Sequence, residues 1–132
     1  MYRYEEKLRR FLKEHRQELV DLMIAICQIP APSNHEEKRA AFCKEWLEKQ
    51  GAKNVTIDKA LNVVYPINCE GSDEIVAVMA HSDTVFPDTE PMPLLIEDGK
   101  ILSPGIGDDT ANVAIADGAV PVVGEVTLHA VT

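Results

Sequence analysis

His81-Ser82-Asp83 follows directly on the apolar run Ile75-Val76-Ala77-Val78-Met79-Ala80, and Gly105-Ile106-Gly107-Asp108-Asp109 comes some twenty residues later. These residue types bind and tune metal ions. Imidazole nitrogen and carboxylate oxygen both ligate zinc, and a ligating histidine needs an acceptor on its other ring nitrogen. His81 and Asp83 lie two apart, so an extended backbone turns both to one face and the pair is made locally. Asp108 follows two glycines, whose wide choice of torsions lets a loop carry its carboxylate close to another segment. Alone, a His-x-Asp is more often a surface pair and a Gly-Asp-Asp more often a plain turn. In this order, with Thr84-Val85 after the first and Asp98-Gly99 before the second, they form one extended pattern.

The elements that must position these residues are legible as periodicities. Leu8, Phe11, Leu12, Leu19, Leu22, Met23 and Ile26 recur at helical spacing, so a long amphipathic helix is expected from about Tyr4 to Cys27, ended by Pro30 and Pro32. Ser33 and Glu36 have capping-box spacing for a second helix running to Gln50, with Gly51 as its stop. Ala40, Ala41, Cys43, Trp46 and Leu47 are its expected inner stripe. Asn54 to Asp58 and Leu61 to Ile67 read as strands. Ile75 to Ala80 reads as an inner strand covered on both faces, whose carboxyl end is where α/β sheets usually bind ligands. Leu94 to Leu102 reads as a hairpin about Asp98-Gly99. Thr110 to Asp117 starts a helix that Gly118 and Pro121 break, and Gly124 to Val131 resembles a further strand. Helices followed by pairing strands predict an α/β layer fold.

With 132 residues the chain is one domain's worth, and 13 Lys and Arg against 22 Asp and Glu give a net charge of -9. That balance repels a phosphate backbone, so nucleic acid is not an expected partner, whereas metal cations are attracted. Cys27, Cys43 and Cys69 are widely spaced and odd in number, as reduced thiols are, with Cys43 expected to act as a small hydrophobe. The charged N-terminus lacks an apolar leader core and no run has membrane-spanning length, so a cytoplasmic protein with no membrane partner is expected. His15, His35 and His129 read as surface or packing histidines, and Glu125 as a solvated turn carboxylate.

From the first helix to about Val113 the sequence resembles the zinc-dependent exopeptidases and amidohydrolases that include aminoacylase, acetylornithine deacetylase, succinyl-diaminopimelate desuccinylase, tripeptide aminopeptidase and glutamate carboxypeptidase. Pro30-Ala31-Pro32-Ser33 with Glu36, His81-Ser82-Asp83-Thr84-Val85, Asp98-Gly99-Lys100-Ile101 and Ser103-Pro104-Gly105-Ile106-Gly107-Asp108-Asp109 carry it. The resemblance implies that His81 ligates one zinc ion, that Asp83 is the catalytic-site residue steadying its ring, and that Asp108 bridges two ions. It also implies zinc as cofactor, with cobalt or manganese as substitutes, a small peptide or N-acyl amino acid as substrate, and homodimers in complete relatives. Asp109-Thr110-Ala111-Asn112 departs from the Lys-Gly or similar small pair that the family carries after its bridging Asp.

The family's Glu-Glu pair, which holds the general base and a further ligand, its third acidic ligand, its lid domain and its last ligating His have no counterpart in residues 1–132. The expected fold is therefore α/β, a partial zinc-peptidase catalytic domain with two N-terminal helices, then a mixed sheet, and no lid domain. The expected function is that of a metal-dependent hydrolase of amide bonds in small peptides or N-acyl amino acids, inactive as this chain. The alternative is a non-catalytic metal-binding or interaction fragment, and a third reading is an unstable fragment with no role, whose incomplete sheet would leave an edge open to aggregation or pairing.

Overall fold

A computed structural model describes residues 6–87 and 90–118. These form a small mixed helix-and-sheet protein with four helices and two small antiparallel sheets, compatible with the α/β class. No helix among the described residues is long and apolar enough to cross a membrane.

The expected first helix is two: α1 (Glu6–Glu14) and α2 (Arg16–Gln28). The chain divides at His15, which leaves helical geometry at φ -100 and ψ 8. Its ring packs on Phe11 with centroids 4.1 Å apart and meets Glu18 Oε2 at 2.9 Å through Nδ1. Leu22, Ile26 and Cys27 form the buried stripe of α2, and Pro30 follows its end as expected.

Helix α3 spans Glu37–Lys49. The capping box expected at its start is not made: Glu36 occupies the cap position and no side chain caps the helix. The helix begins at Glu37, which leaves Ser33 short of the cap position, and its hydroxyl donates to the Asp83 carboxylate, a charge-assisted bond. Glu36 accepts from the Asn34 amide at 2.7 Å. The helix stops as expected at Gly51, whose φ of +92 suits glycine. The amides of Gly51 and Ala52 donate to Glu48 and Leu47, both at 3.0 Å, closing the Schellman end with Ala52 buried beside Leu47. Ala40, Cys43 and Leu47 do face inward, but Ala41 is exposed, rotated off the stripe by the helical pitch.

Two short hairpins supply the sheets. β1 (Thr56–Ile57) pairs with β2 (Val63–Val64) in the register Thr56 to Val64, around a turn in which Asp58 accepts from the amides of Ala60 and Asn62. β3 (Leu95–Glu97) pairs with β4 (Lys100–Leu102) about Asp98 and Gly99, whose φ values of +50 and +71 are the paired positive torsions of a type I′ turn. These ladders are shorter than the strands read from the sequence.

The expected inner strand is the main correction. Residues 75–80 pair with no strand among the described residues, and Ile75, Val76, Val78 and Met79 are 61–86% exposed. Burial of such a run needs partners on both sides, which its own sequence cannot supply. The expected mixed sheet is accordingly not formed by the described residues. The strand read over Gly124 to Val131 lies outside them, as do Glu125 and His129.

The core lies where α2, α3 and α4 (Ala111–Gly118) meet, with Leu22, Ile26, Cys43, Val113 and Ala114 buried and Leu19, Met23, Phe42, Trp46, Val63 and Ala80 packed against them. Ala80, the residue before His81, is thereby tied to this core.

Candidate functional site

Three anchors bring the site together. Ala80 packs on the core, Thr84 is buried and donates its amide to Ala31 at 2.7 Å beside a single parallel bridge to Pro32, and Thr110 is fully buried at the start of α4. Between the first two lies His81-Ser82-Asp83, and a wide irregular turn over Ile106–Thr110 leads into the third. Gly105 opens that turn at φ +72, and a Cβ there would stand 2.8 Å from Thr84 Cγ2. Only glycine lets the turn seat this closely against Thr84.

His81 is held at both ring nitrogens. Nε2 lies 3.0 Å from Asp108 Oδ1, and Nδ1 lies 3.1 Å from Asp83 Oδ1. The backbone amide of His81 donates to Asp109 Oδ2 at 3.2 Å, and Asn112 donates to the other oxygen of that carboxylate. Asp108 and Asp109 are joined by a cis peptide bond. Asp108 is almost wholly exposed, His81 half-exposed and Asp83 one-third exposed, so the cluster opens to solvent through Asp108. The hydrogen bond to Asp108, joined by those to Asp83, pushes the His81 pKa up. The Ser33 hydroxyl, then His81, pull the Asp83 pKa down.

The structure thus brings the side chains of His81, Asp83 and Asp108 together. A neutral imidazole that keeps its proton on Nδ1, facing Asp83, leaves the Nε2 lone pair toward Asp108. Donor atoms about 2.0–2.1 Å from a tetrahedral zinc ion stand about 3.3 Å apart, so a nitrogen and an oxygen 3.0 Å apart need little movement to share one. The donor set fits zinc in kind and spacing. It is a pair: among the described residues no three His, Cys, Asp or Glu side chains converge as a metal-holding group.

The other candidates lie elsewhere. His15 is engaged with Glu18, and His35 is exposed two residues before α3. Cys43 is buried, and burial with the neighbouring Asp117 pushes its thiol pKa up, so it behaves as the small hydrophobe expected. Cys27 is buried and Cys69 exposed, all three as free thiols.

Residues given no role in the site by the sequence complete it: Ser33 on Asp83, Asp109 and Asn112 beneath His81, and Arg39 behind them. Arg39 is 1% exposed. Its signal was present in the spacing, because Arg39, Cys43 and Leu47 recur every four residues on the buried stripe of α3. Compared with models of known protein families and with curated proteins, the chain matches none.

Proposed function

We propose that the chain carries the His-and-bridging-Asp half of a zinc site of the aminoacylase and exopeptidase type, in a class of enzymes that hydrolyse amide bonds of small peptides or N-acyl amino acids. The observation that supports this most is the placement of Nε2 of His81 against Asp108 while Asp83 holds Nδ1. His81 and Asp108 are the ligands, and Asp83 fixes the tautomer and the ring plane. Zinc, when bound, supplies a Lewis acid that lowers the pKa of water and polarises a scissile carbonyl. Asp83 does not take up the proton in this scheme, since its bonds to Ser33 and His81 favour the ionised form.

Two ligands among the described residues fall short of the three plus water found in catalytic zinc sites, so the expected behaviour is weak, readily chelated metal binding without turnover. A second reading, a non-catalytic interaction module, is favoured by the run 75–79, exposed and without a strand partner among the described residues. Incubation with zinc or cobalt and a panel of N-acyl amino acids, dipeptides and tripeptides separates the two. Metal uptake at His81 without hydrolysis is the expected result. Metal-dependent hydrolysis abolished by His81→Ala would overturn the expected lack of turnover, and absence of metal uptake at millimolar concentration would overturn the zinc assignment itself.

A further inference from the structure

The two segments that carry the site are not joined by a sheet. Residues 75–83 make no ladder pairing among the described residues, and the Ile106–Thr110 turn has irregular torsions at Asp108 and Asp109. Beside the seating of Gly105 against Thr84 and the bond of the His81 amide to Asp109, one more tie bears on the distance between His81 and Asp108.

One side chain spans both. The guanidinium of Arg39, on the first turn of α3, donates through Nε and Nη2 to the Ile29 carbonyl at 3.1 and 2.6 Å. Nη1 donates to the Ser82 carbonyl at 2.8 Å and lies 3.4 Å from Thr110 Oγ1. Ser82 is the residue between His81 and Asp83, and Thr110 is two residues beyond Asp108. A single planar group therefore ties the end of α2, the histidine segment and the acidic turn to one point in the interior.

Taking a cationic side chain out of water is costly, and among these partners every acceptor is a neutral oxygen. An apolar residue of similar length would fill the space without that cost. What it could not do is bond three separate segments at once, for which the fixed fork of five donors is suited; an ammonium, a compact point charge, is not.

We infer that Arg39 is a positioning residue that holds His81 and Asp108 in register for a shared cation. The inference rests on the zinc reading only for its consequence; the placement of the two side chains is measurable without metal.

The test uses the full chain, isotope-labelled, as wild type, Arg39→Met and Thr110→Val. Arg39→Met keeps the length and removes the buried charge, so the helical core is expected to persist, monitored by contacts between Ile26 and Val113. In the metal-free protein, the proton–proton contact between the His81 ring and the Asp108 β-protons is expected in wild type, lost in Arg39→Met and weakened in Thr110→Val. Cobalt affinity is expected to fall about 10–100-fold in Arg39→Met, the range seen when a group that orients a ligand is removed. Retention of the ring contact and of wild-type cobalt affinity in a folded Arg39→Met would overturn the inference. If Arg39→Met does not fold, an unchanged ring contact in Thr110→Val overturns it and a weakened one supports it. Wild type that takes up no cobalt, together with a ring contact that depends on Arg39, would sink the zinc assignment while leaving the positioning role standing.

Discussion

Replacement of His81 by Ala is expected to lower zinc affinity by at least about 100-fold, more than the loss of an orienting partner costs. The imidazole is the only nitrogen donor of the pair, and Asp108 is 94% exposed, so a lone carboxylate would remain in water with nothing to concentrate the ion. Asp83→Asn is expected to cost about 10–100-fold, because the ring keeps its nitrogen but Nδ1–H then faces a neutral amide, a weaker acceptor than the carboxylate and one that can turn its own NH2 to the ring. Both side chains are at least one-third exposed, so neither change should unfold the chain. Calorimetric titration of the two variants beside wild type checks the order of the losses. Equal affinity in His81→Ala and wild type would place the metal elsewhere.

The second large effect concerns stability. Asp117 lies in the last turn of α4, beside the Cys43 thiol of α3, and its Oδ2 is buried without a hydrogen-bond partner among the described residues. Burial raises its pKa from 3.8 to about 6. The helix C-terminus also carries partial negative charge, which disfavours a carboxylate there. A folded pKa above the unfolded one means that the folded state keeps a proton the unfolded chain releases. Stability contributed by the neutral acid is therefore full below about pH 4 and is lost as pH rises toward 6. At pH 7 the ionised group costs about 2–3 kcal/mol. Asp117→Asn is expected to recover about 2 kcal/mol at pH 7, since the amide is neutral but still poorly bonded. At pH 4 the gain should vanish. Urea midpoints at the two pH values provide the check, and a variant that gains nothing at pH 7 would show Asp117 to be solvated.

What the sequence revealed follows the range of the forces involved. The hairpin at Asp98-Gly99 and the stop at Gly51 were legible because each depends on a torsion that few residues adopt. The His81–Asp83 pair was legible for a similar reason, being made within three residues of extended chain, and the glycines before Asp108 marked a loop free to approach it. Non-local competition was not legible. Ser33 has the spacing of a helix cap, yet its hydroxyl goes to a carboxylate fifty residues away. Ile75 to Ala80 has the composition of a buried strand, but composition records only a tendency, and burial depends on which neighbours are in place. Arg39 reads as one more surface charge on a charged helix unless its phase with Cys43 and Leu47 is noticed. The break at His15 interrupts a stretch whose helical periodicity runs on through it.

Zinc-edge anomalous diffraction from crystals of this chain grown at saturating zinc tests the shared cation most directly. The expected result is a peak about 2.0–2.2 Å from both His81 Nε2 and a carboxylate oxygen of Asp108, with Asp83 still on Nδ1. A peak on other side chains, or none beside His81, would contradict it.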